Sequence, residues 1–120
     1  MRAGELISEI IPPLKNTETG ERAMDWMNEL RVSHLPVVKG NEYVGLISEN
    51  DIYDMPDPSM TIKECFQNLP KPFIYADRHV YEVMKIISDM KITVVPVLDE
   101  NNNYMGCTDL LYLMSQITAV

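Results

Sequence analysis

Cysteine is scarce in this sequence. Its 120 residues include two, Cys65 and Cys107, and they form no C-x-x-C pair. Zinc and disulfide-exchange motifs are therefore excluded, and we expect two reduced thiols that are at least partly buried, because an unpaired cysteine behaves as a small hydrophobe. The two histidines, His34 and His79, are not spaced as metal ligands either. Nothing in the sequence therefore predicts a metal site.

Long apolar runs are missing as well. No stretch approaches the ~18 consecutive apolar residues that a membrane-spanning helix requires, and the N-terminus lacks the pattern of a signal peptide. We therefore expect a cytoplasmic protein with no membrane partner. The hydrophobic fraction of 46% in 120 residues is enough for one compact domain whose core needs no disulfide or metal.

Basic residues and glycine are also in short supply. Ten lysines and arginines face 18 aspartates and glutamates, and the net charge is −8. A chain of this charge repels phosphate backbones, so we expect no nucleic-acid partner. The five glycines form no phosphate-binding loop. A bound phosphate would therefore be held by scattered basic side chains and helix ends in a local pocket.

What the chain does contain is one pattern that occurs twice. An apolar strand, a turn, a second apolar strand and a polar helix start run over 34–52, and the same order returns over 94–110. Pro36 recurs as Pro96, 60 residues later, and the glycine of the second strand recurs 61 residues later. We therefore divide the chain into two repeats, residues 1–58 and 59–120, which together form one module.

The apolar spacing within each repeat predicts a mixture of helices and strands. The expected fold class is α/β, or α+β, with a small β-sheet and flanking helices in each repeat. Core positions recur together with the turns, as in the pairs Ala23/Val83 and Met27/Ile87. The predicted elements are helices over 5–11, 20–31 (with Thr19 as a plausible cap), 52–55, 61–69 (opened by a capping box at Thr61) and 109–117, a further helix from a cap at Asp77 or His79 to Met90, and extended segments or strands over 12–14, 35–38, 43–47, 73–75, 93–98 and 104–107.

Three short motifs carry a family resemblance, and each has a second copy. They are His34-Leu35-Pro36-Val37, Tyr43-Val44-Gly45 and Ser48 with Asp51, followed by Val94-Val95-Pro96-Val97, Tyr104-Met105-Gly106 and Thr108-Asp109. In this order they resemble the CBS domain, named for cystathionine β-synthase, and two such units in tandem resemble a Bateman module. The resemblance covers nearly the whole chain.

The resemblance implies that the repeats pair about a pseudo-two-fold axis and form two clefts between them. Many members bind AMP, ADP, ATP or S-adenosylmethionine there and regulate an attached enzyme, transporter or transcription factor, and many form disk-like homodimers. The expected function is therefore a non-catalytic sensor of an adenosine nucleotide that requires no cofactor beyond this regulatory ligand. The expected partners are a second copy of the chain and an effector domain or partner protein.

Ser48 and Asp51 are the strongest site candidates. The resemblance implies that they hydrogen-bond a ribose, with the Asp51 carboxylate taking the 2′- and 3′-hydroxyls. An ionised carboxylate can accept two such donors, and a charge-assisted hydrogen bond is stronger than a neutral one. The alternative is plain capping, because serine and aspartate are preferred before a helix. The two roles are compatible.

The remaining candidates differ in the part of the ligand that they would reach. The resemblance implies a phosphate contact for His34, which would otherwise be a connector between helix and strand. Arg31 and Lys91 would add phosphate charge or be solvated helix ends. Leu35 and Val95 would supply backbone groups and apolar walls for a purine, or belong to the core. The full set of nucleotide-binding candidates is Ser48, Asp51, His34, Leu35, Pro36, Val95, Thr108, Asp109, Arg31, Lys91 and Tyr75.

The second repeat departs from the pattern at two points. Val94 replaces the histidine of the first repeat, and Asp109 follows Thr108 directly, without the two-residue spacer of the first repeat. We therefore expect the two clefts to differ, with the second the weaker one. Tyr75 would stack on a base or pack in the core.

Two other functions are compatible with the residues. The first is a dimerisation or protein-interaction module with empty clefts, which the departures in the second repeat favour. The second is an enzyme, because His34, Ser48 and Asp51 are residue types of a hydrolase triad. No oxyanion-hole motif accompanies them and capping explains two of them, so we expect no catalytic residue. The last helix has no glycine or proline stop, and we hypothesise that the chain is a fragment that continues into an effector domain.

Overall fold

Two three-stranded sheets of the same topology form the framework of the protein in a computed structural model, which describes residues 1–118. In each sheet the first strand runs parallel to the central strand, and the third strand runs antiparallel to it. The hypothesis that the chain continues into an effector domain concerns its last residues. Of these, Ala119 and Val120 lie outside the described residues.

Helices and strands follow the same order in both halves, and this confirms the predicted α/β repeat. The first half contains β1 (Leu14–Lys15), α1 (Gly20–Leu30), β2 (His34–Lys39), β3 (Glu42–Ser48) and α2 (Glu49–Tyr53). The second half contains α3 (Ile62–Cys65), β4 (Ile74–Tyr75), α4 (Val80–Met90), β5 (Val94–Leu98), β6 (Tyr104–Asp109) and α5 (Leu110–Thr118). A 3₁₀ turn over Ala3–Glu5 precedes β1 and is the counterpart of α3.

The register of the two hairpins repeats as well. His34 pairs with Ser48 at the start of the first hairpin, and Val94 pairs with Asp109 at the start of the second. A bulge interrupts each hairpin at the equivalent position. The turn of the second hairpin is one residue longer, which explains why the repeated glycines have a larger offset than the repeated prolines.

The long helices α1 and α4 begin and end in the same way. Thr19 caps α1 and His79, rather than Asp77, caps α4, each by accepting a backbone hydrogen bond from the first turn. At the C-terminal ends, Arg31 and Lys91 adopt left-handed φ angles of 56° and 55°. This conformation ends each helix and turns the chain toward the central strand.

The N-terminal arm, residues 1–11, is not the helix that the spacing over 5–11 predicts. The 3₁₀ turn and the residues after it run along the second sheet, where the N–H of Gly4 donates to the carbonyl of Ala76 (2.9 Å) and the N–H of Ser8 donates to the carbonyl of Cys107 (2.8 Å). These backbone groups are satisfied by the other half of the molecule instead of by a helix. The helix prediction is therefore wrong, because a tertiary contact competes with the local pattern.

The segment that opens the second half is the counterpart of this arm and crosses to the first sheet. Thr61 caps α3, as predicted, but α3 ends at Cys65, earlier than the predicted end of this helix. Residues 66–72 instead run past β3, where the N–H of Leu46 donates to the carbonyl of Pro70 (2.8 Å). Each half thus contributes an arm to the sheet of the other half, as a pseudo-two-fold axis requires.

The two repeated glycines lie where the arms cross the hairpins. A Cβ atom on Gly45 would lie 2.5 Å from the Cβ atom of Leu69, and a Cβ atom on Gly106 would lie 2.6 Å from the Cγ2 atom of Ile7. Both distances are shorter than any van der Waals contact. Glycine therefore recurs at this position because the other half of the molecule approaches the strand closely.

Buried apolar side chains from both halves form one continuous core. Cys107 belongs to this core and Cys65 is half-buried, as expected for small apolar side chains. Among residues 1–118, no helix combines the length and the apolar character that spanning a bilayer would take. The largest fully buried side chains are Leu6, Leu14, Met27, Leu35, Ile47, Ile62 and Leu113.

Candidate functional site

Ser48 and Asp51 form a reciprocal capping box at the start of α2. The Ser48 hydroxyl oxygen accepts a hydrogen bond from the backbone N–H of Asp51 (3.1 Å), and the Asp51 Oδ2 atom accepts one from the backbone N–H of Ser48 (2.9 Å). The capping role is therefore confirmed. It uses one carboxylate oxygen, and Oδ1 receives no hydrogen bond from the residues that the structure describes. The carboxylate thus retains acceptor capacity for a ligand.

His34 lies directly across the hairpin from this box, opposite Ser48. Its Nδ1 atom is 3.2 Å from the hydroxyl oxygen of Ser33. Burial lowers the pKa of His34 below its ordinary value, and the nearby carboxylates of Asp51 and Glu49 oppose this shift without reversing it. The imidazole is therefore neutral at neutral pH and offers a single N–H donor.

A cavity of about 440 Å³ opens next to α2 and is lined by both halves. Of the predicted site residues, Arg31 is the one that lines it, together with Ser33 and Glu49 from the first half and Thr93 from the second. The N–H of Glu49 donates to the carbonyl of Ser33 (3.0 Å), which holds the start of α2 against the connection between α1 and β2. The volume of this cavity lies within the range of about 300–1,000 Å³ that is typical of small-ligand sites.

Leu35, Pro36 and Val95 have buried side chains, so only their backbones are available to a ligand. In the first sheet, β1 pairs with Val37 and Val38. The hydrogen-bonded pairing between β1 and β2 therefore begins after Pro36. Burial favours the core role that the sequence also allows for Leu35 and Val95, and contact with a purine stays a prediction.

Among the residues that the structure describes, the second half has no equivalent of the Ser48–Asp51 box. Asp109, not Thr108, occupies the position of Ser48, because the longer turn shifts β6 by one residue. Asp109 caps α5 by accepting a hydrogen bond from the N–H of Tyr112 (3.0 Å), and Tyr112 therefore stands where the first half has its carboxylate. Thr108 is fully buried, and its hydroxyl lies 3.5 Å from the carbonyl oxygen of Val95.

Tyr75 lies at the opposite end of the second sheet from Asp109. It pairs with Leu98 at the end of β5, roughly 13 Å along the strand from Val94. Its hydroxyl donates to Asn102 Oδ1 (2.8 Å), and its ring meets the ring of Phe73 edge to face. The structure thus does not bring Tyr75 together with the other candidates of the second half.

Ser33, Glu49 and Thr93 line the cavity but were not predicted as site residues. Ser33 and Thr93 occupy equivalent positions, each immediately before a central strand. Both carbonyls also accept from the first N–H of the following helix, because Leu110 donates to Thr93 (2.8 Å) as Glu49 donates to Ser33. The 60-residue offset between the repeats relates these two positions in the sequence, but it does not predict a cavity beside them.

The chain matches a family model described as the CBS domain over residues 3–56 and 62–107. Its fold is similar to that of a CBS domain pair/ACT domain protein from Thermotoga maritima, with a TM-score of 0.83 and 17% identity over 100% of this chain and 99% of that chain. It is also similar to CBSX2 in complex with AMP, with a TM-score of 0.79 and 14% identity over 98% of this chain and 96% of that chain. The cytosolic domain of the Mg²⁺ channel MgtE in complex with ATP gives a TM-score of 0.74 and 21% identity over 96% of this chain and 48% of that chain. At these identities the similarity establishes the fold alone.

Inosine-5′-monophosphate dehydrogenase from Korarchaeum cryptofilum is 27% identical to this chain over 105 residues, or 88% of its length. The chain spans 22% of that relative. The similarity therefore carries no dehydrogenase activity over to this chain. A tandem pair of CBS domains is a regulatory module, and two of the similar structures contain AMP or ATP.

Proposed function

This chain belongs to the CBS-domain family, and on that premise we propose that it is a cytoplasmic, non-catalytic regulatory module that binds an adenosine-containing nucleotide between its two halves. The candidate ligands are AMP, ADP, ATP and S-adenosylmethionine. The observation that carries the proposal is the Asp51 carboxylate, which caps α2 through one oxygen and keeps the other available. We propose in addition that the chain forms a homodimer and regulates an effector domain or partner protein.

Each part of the ligand has a proposed contact in the first half. The Asp51 carboxylate accepts from the ribose hydroxyls, and the Ser48 box holds that carboxylate in place. His34 donates one hydrogen bond from its neutral ring. Arg31, at the rim of the cavity, meets the phosphate, and the backbone of 34–36 meets the base.

The charges that line the cavity favour a ligand with few phosphates. Arg31 and Glu49 both line it, so its positive charge is opposed by a negative one. A triphosphate would meet repulsion from Glu49 and from a chain with net charge −8. We therefore place AMP or S-adenosylmethionine ahead of ADP, and ADP ahead of ATP, with affinities in the micromolar range or weaker, on the order of −8 kcal/mol.

The proposal assigns one strong site to each chain. In the second half, Lys91 is exposed at the position equivalent to Arg31, but Tyr112 stands in place of the ribose-binding carboxylate. Val95, Thr108 and Asp109 therefore offer a ligand only backbone groups and a capping carboxylate. The second cleft is the weaker one in this proposal, and Tyr75 takes no part in it.

Calorimetric titration of the four ligands against the wild type and Asp51→Asn tests the proposal. The asparagine amide oxygen still accepts from the Ser48 N–H, so the fold is retained while the charge is lost. We expect AMP affinity to fall about tenfold, since a hydrogen bond to a charged group contributes about 1.5–3 kcal/mol. Asp54→Asn, an exposed carboxylate at the end of the same helix, is the matched control and should bind AMP like the wild type.

The alternative is an interaction module with empty clefts. It is favoured by the missing carboxylate of the second half and by the exposed apolar side chains of α4 and α5. A thermal-shift series with the same four ligands separates the two functions, because a ligand at 100 times its Kd stabilises the protein by ~2.7 kcal/mol. A shift with AMP supports the sensor, whereas no shift with any adenosine compound rejects it in favour of the interaction module.

A further inference from the structure

Phe73 and Tyr75 form an aromatic pair outside the proposed nucleotide site. Phe73 is 37% exposed and Tyr75 is 36% exposed, and their rings meet edge to face with centres 5.2 Å apart. Met105, which is 45% exposed, lines a cavity together with Tyr75. Aromatic side chains and methionine are enriched in interfaces between proteins. This end of the second sheet therefore has the composition of a contact surface.

The fold of the repeat does not require these aromatic side chains. In the first half, Pro13 and Lys15 occupy the positions of Phe73 and Tyr75. β1 nevertheless pairs with β2 in the same parallel register as β4 with β5. The packing of the repeat therefore does not explain the aromatic pair, whereas a role specific to the second half does.

Two cavities that share Tyr75 and Arg78 adjoin at β4, the edge strand of the second sheet. One has a volume of about 640 Å³ and is also lined by Met105 from β6, and the other has a volume of about 290 Å³ and is also lined by Lys85 from α4. Together they form the β4 groove, which extends roughly 10 Å across the sheet and roughly 10 Å along the helix. An extended peptide segment of about six residues has this length.

Carboxylates outnumber basic groups in the larger cavity. Asp77, Asp99 and Glu100 line it, and Arg78 is the one basic residue among the described residues that do so. The Nε atom of Arg78 also lies 3.9 Å from a carboxylate oxygen of Glu82. The β4 groove therefore attracts a cation, and the net charge of −8 on the chain adds to this attraction.

The equivalent end of the first half does not share this charge. Lys15 and Lys39 stand at the positions of Tyr75 and Asp99, and both lysines are exposed. A basic segment therefore meets lysines at one end of the molecule and carboxylates at the other, which favours the second half as its docking site.

The turn that carries two of these carboxylates is held in place. Asp99 Oδ1 accepts hydrogen bonds from the backbone N–H groups of Asn101 and Asn103 (2.9 Å each). The Tyr75 hydroxyl donates to Asn102 Oδ1 (2.8 Å), which ties the aromatic ring to the turn. Within the described part of the chain, no three histidine, cysteine, aspartate or glutamate side chains are grouped as metal ligands. A preformed groove with carboxylates beside aromatic rings is complementary to an organic cation that has apolar neighbours.

We propose that the β4 groove binds a short basic segment of a partner protein in an extended conformation. A lysine or arginine of this segment pairs with Asp77 and Glu100. The neighbouring apolar side chain packs on Phe73, Tyr75 and Met105. This inference rests on the proposed regulatory function and adds the surface by which the module contacts its partner protein. The β4 groove and the cavity beside α2 share none of their described lining residues, so the segment and a nucleotide bind at separate sites.

Peptide binding tests the proposal. Fluorescence anisotropy at low salt measures the Kd of a labelled peptide in which lysine and leucine alternate over about seven residues. One comparison peptide has serine in place of leucine, and another has glutamate in place of lysine. We expect the lysine–leucine peptide to bind about tenfold more tightly than either comparison peptide, because only it offers both the charge and the apolar side chains.

Two double variants test the charged part of the contact. Asp77→Asn/Glu100→Gln removes two charges from the β4 groove and should raise the Kd of the lysine–leucine peptide about tenfold. Glu18→Gln/Glu42→Gln removes two charges at the corresponding end of the first half and should leave this Kd unchanged. The two variants have the same net charge, so a difference between them reports the place of binding and not the overall charge.

Phe73→Ala tests the apolar part of the contact. It should also raise the Kd of the lysine–leucine peptide about tenfold, because buried aromatic anchors contribute most to binding. Tyr53→Ala is the matched control, since it removes an aromatic side chain that is 70% exposed on α2. It should bind the peptide like the wild type. Circular dichroism of each variant verifies that the fold is retained.

Nuclear magnetic resonance measures the location of the contact directly. In the isotope-labelled wild type, the lysine–leucine peptide should shift the amide signals of residues 73–78 and 99–105. It should leave those of residues 13–18 and 39–44 in place. Equal shifts at both ends of the molecule, or shifts at neither end, overturn the proposal.

Other outcomes overturn the proposal in distinguishable ways. Equal Kd values for the wild type and Asp77→Asn/Glu100→Gln show that the peptide binds elsewhere. Equal Kd values for the lysine–leucine and lysine–serine peptides reduce the contact to charge alone. Self-association of the wild type that the same double variant abolishes assigns the groove to a second copy of the chain. Calorimetry should give the same AMP affinity for the wild type and this double variant, so a failure of nucleotide binding is distinguished from a failure of the β4 groove.

Discussion

Gly106 and Ile7 meet across the boundary between the two halves, so closely that a Cβ atom on Gly106 would lie 2.6 Å from the Cγ2 atom of Ile7. The equivalent contact in the other direction joins Gly45 and Leu69. Each arm is thus fitted to a strand that has no side chain at the crossing point. The stability of each half therefore depends on the arm of the other.

Gly106→Ala should lower the free energy of unfolding by about 1–3 kcal/mol, because the added methyl group overpacks the crossing. Urea denaturation measures the change. Adding Ile7→Ala to this variant removes the clashing methyl group and should recover part of the loss. If the double variant is as unstable as the sum of the two single variants, the clash with Ile7 is not the cause.

Tyr43 and Tyr104 offer a matched pair, with ring centres 6.2 Å apart where the two hairpins meet. The Tyr43 hydroxyl donates to the carbonyl of Pro72 (2.7 Å). The buried Tyr104 hydroxyl, in contrast, has no oxygen or nitrogen partner among residues 1–118. It lies beside the thiol of Cys107, which is a weak acceptor. Tyr43→Phe should cost about 1 kcal/mol and Tyr104→Phe should stay within about 0.5 kcal/mol of the wild type. Equal losses in chemical denaturation would contradict this difference.

His34 makes stability dependent on pH. Burial holds its pKa in the folded state below the ordinary value of 6.5. As the pH falls below 6.5, the unfolded state takes up a proton that the folded state does not, so stability is complete above 6.5 and declines as the pH approaches and passes the folded-state pKa. His34→Asn should reduce this decline in urea midpoints measured from pH 7.5 to 5. His79→Asn, which keeps His34 and retains a capping side chain, should preserve it.

Ser48 and Asp109 each end a hairpin and cap the helix that follows it, and helix stability should be equally sensitive to truncation of either side chain. Ser48→Ala and Asp109→Ala each remove an acceptor for the first turn of a helix, and each should cost about 1 kcal/mol. Ser48→Thr and Asp109→Asn keep an acceptor and should lose far less. Thermal melts of the four variants check this expectation, and an Asp109→Ala protein as stable as the wild type would show that the cap of α5 contributes nothing.

The repeat, the hairpins and the cap of α2 could be predicted because each is a local pattern. Thr19, Ser48 and Thr61 cap helices where the sequence places them, since a capping side chain acts on residues within three positions of itself. The arms could not be predicted in this way. The spacing over 5–11 is compatible with a helix, and only the sheet of the other half supplies the backbone partners that replace it.

For the candidate site, too, the local features could be predicted from the sequence and the long-range contacts could not. The sequence predicts Ser48, Asp51 and His34 as contacts of one ligand, and the structure pairs His34 with Ser48 across the hairpin. The sequence does not reveal that Tyr75 is far from Asp109, since that separation depends on the parallel pairing of β4 with β5. Nor does it reveal Glu49 and Thr93 on one cavity, because they belong to different halves.

By itself, the sequence determined that the protein is one unit repeated twice, with a capping box in the first copy and without one in the second. These properties depend on residue type and spacing over a few positions, where side-chain periodicity and capping act. The tertiary structure alone decided which half each arm completes and which residues share the cavity. Those relationships join residues from different halves of the sequence, and only the packing of one half against the other brings them together.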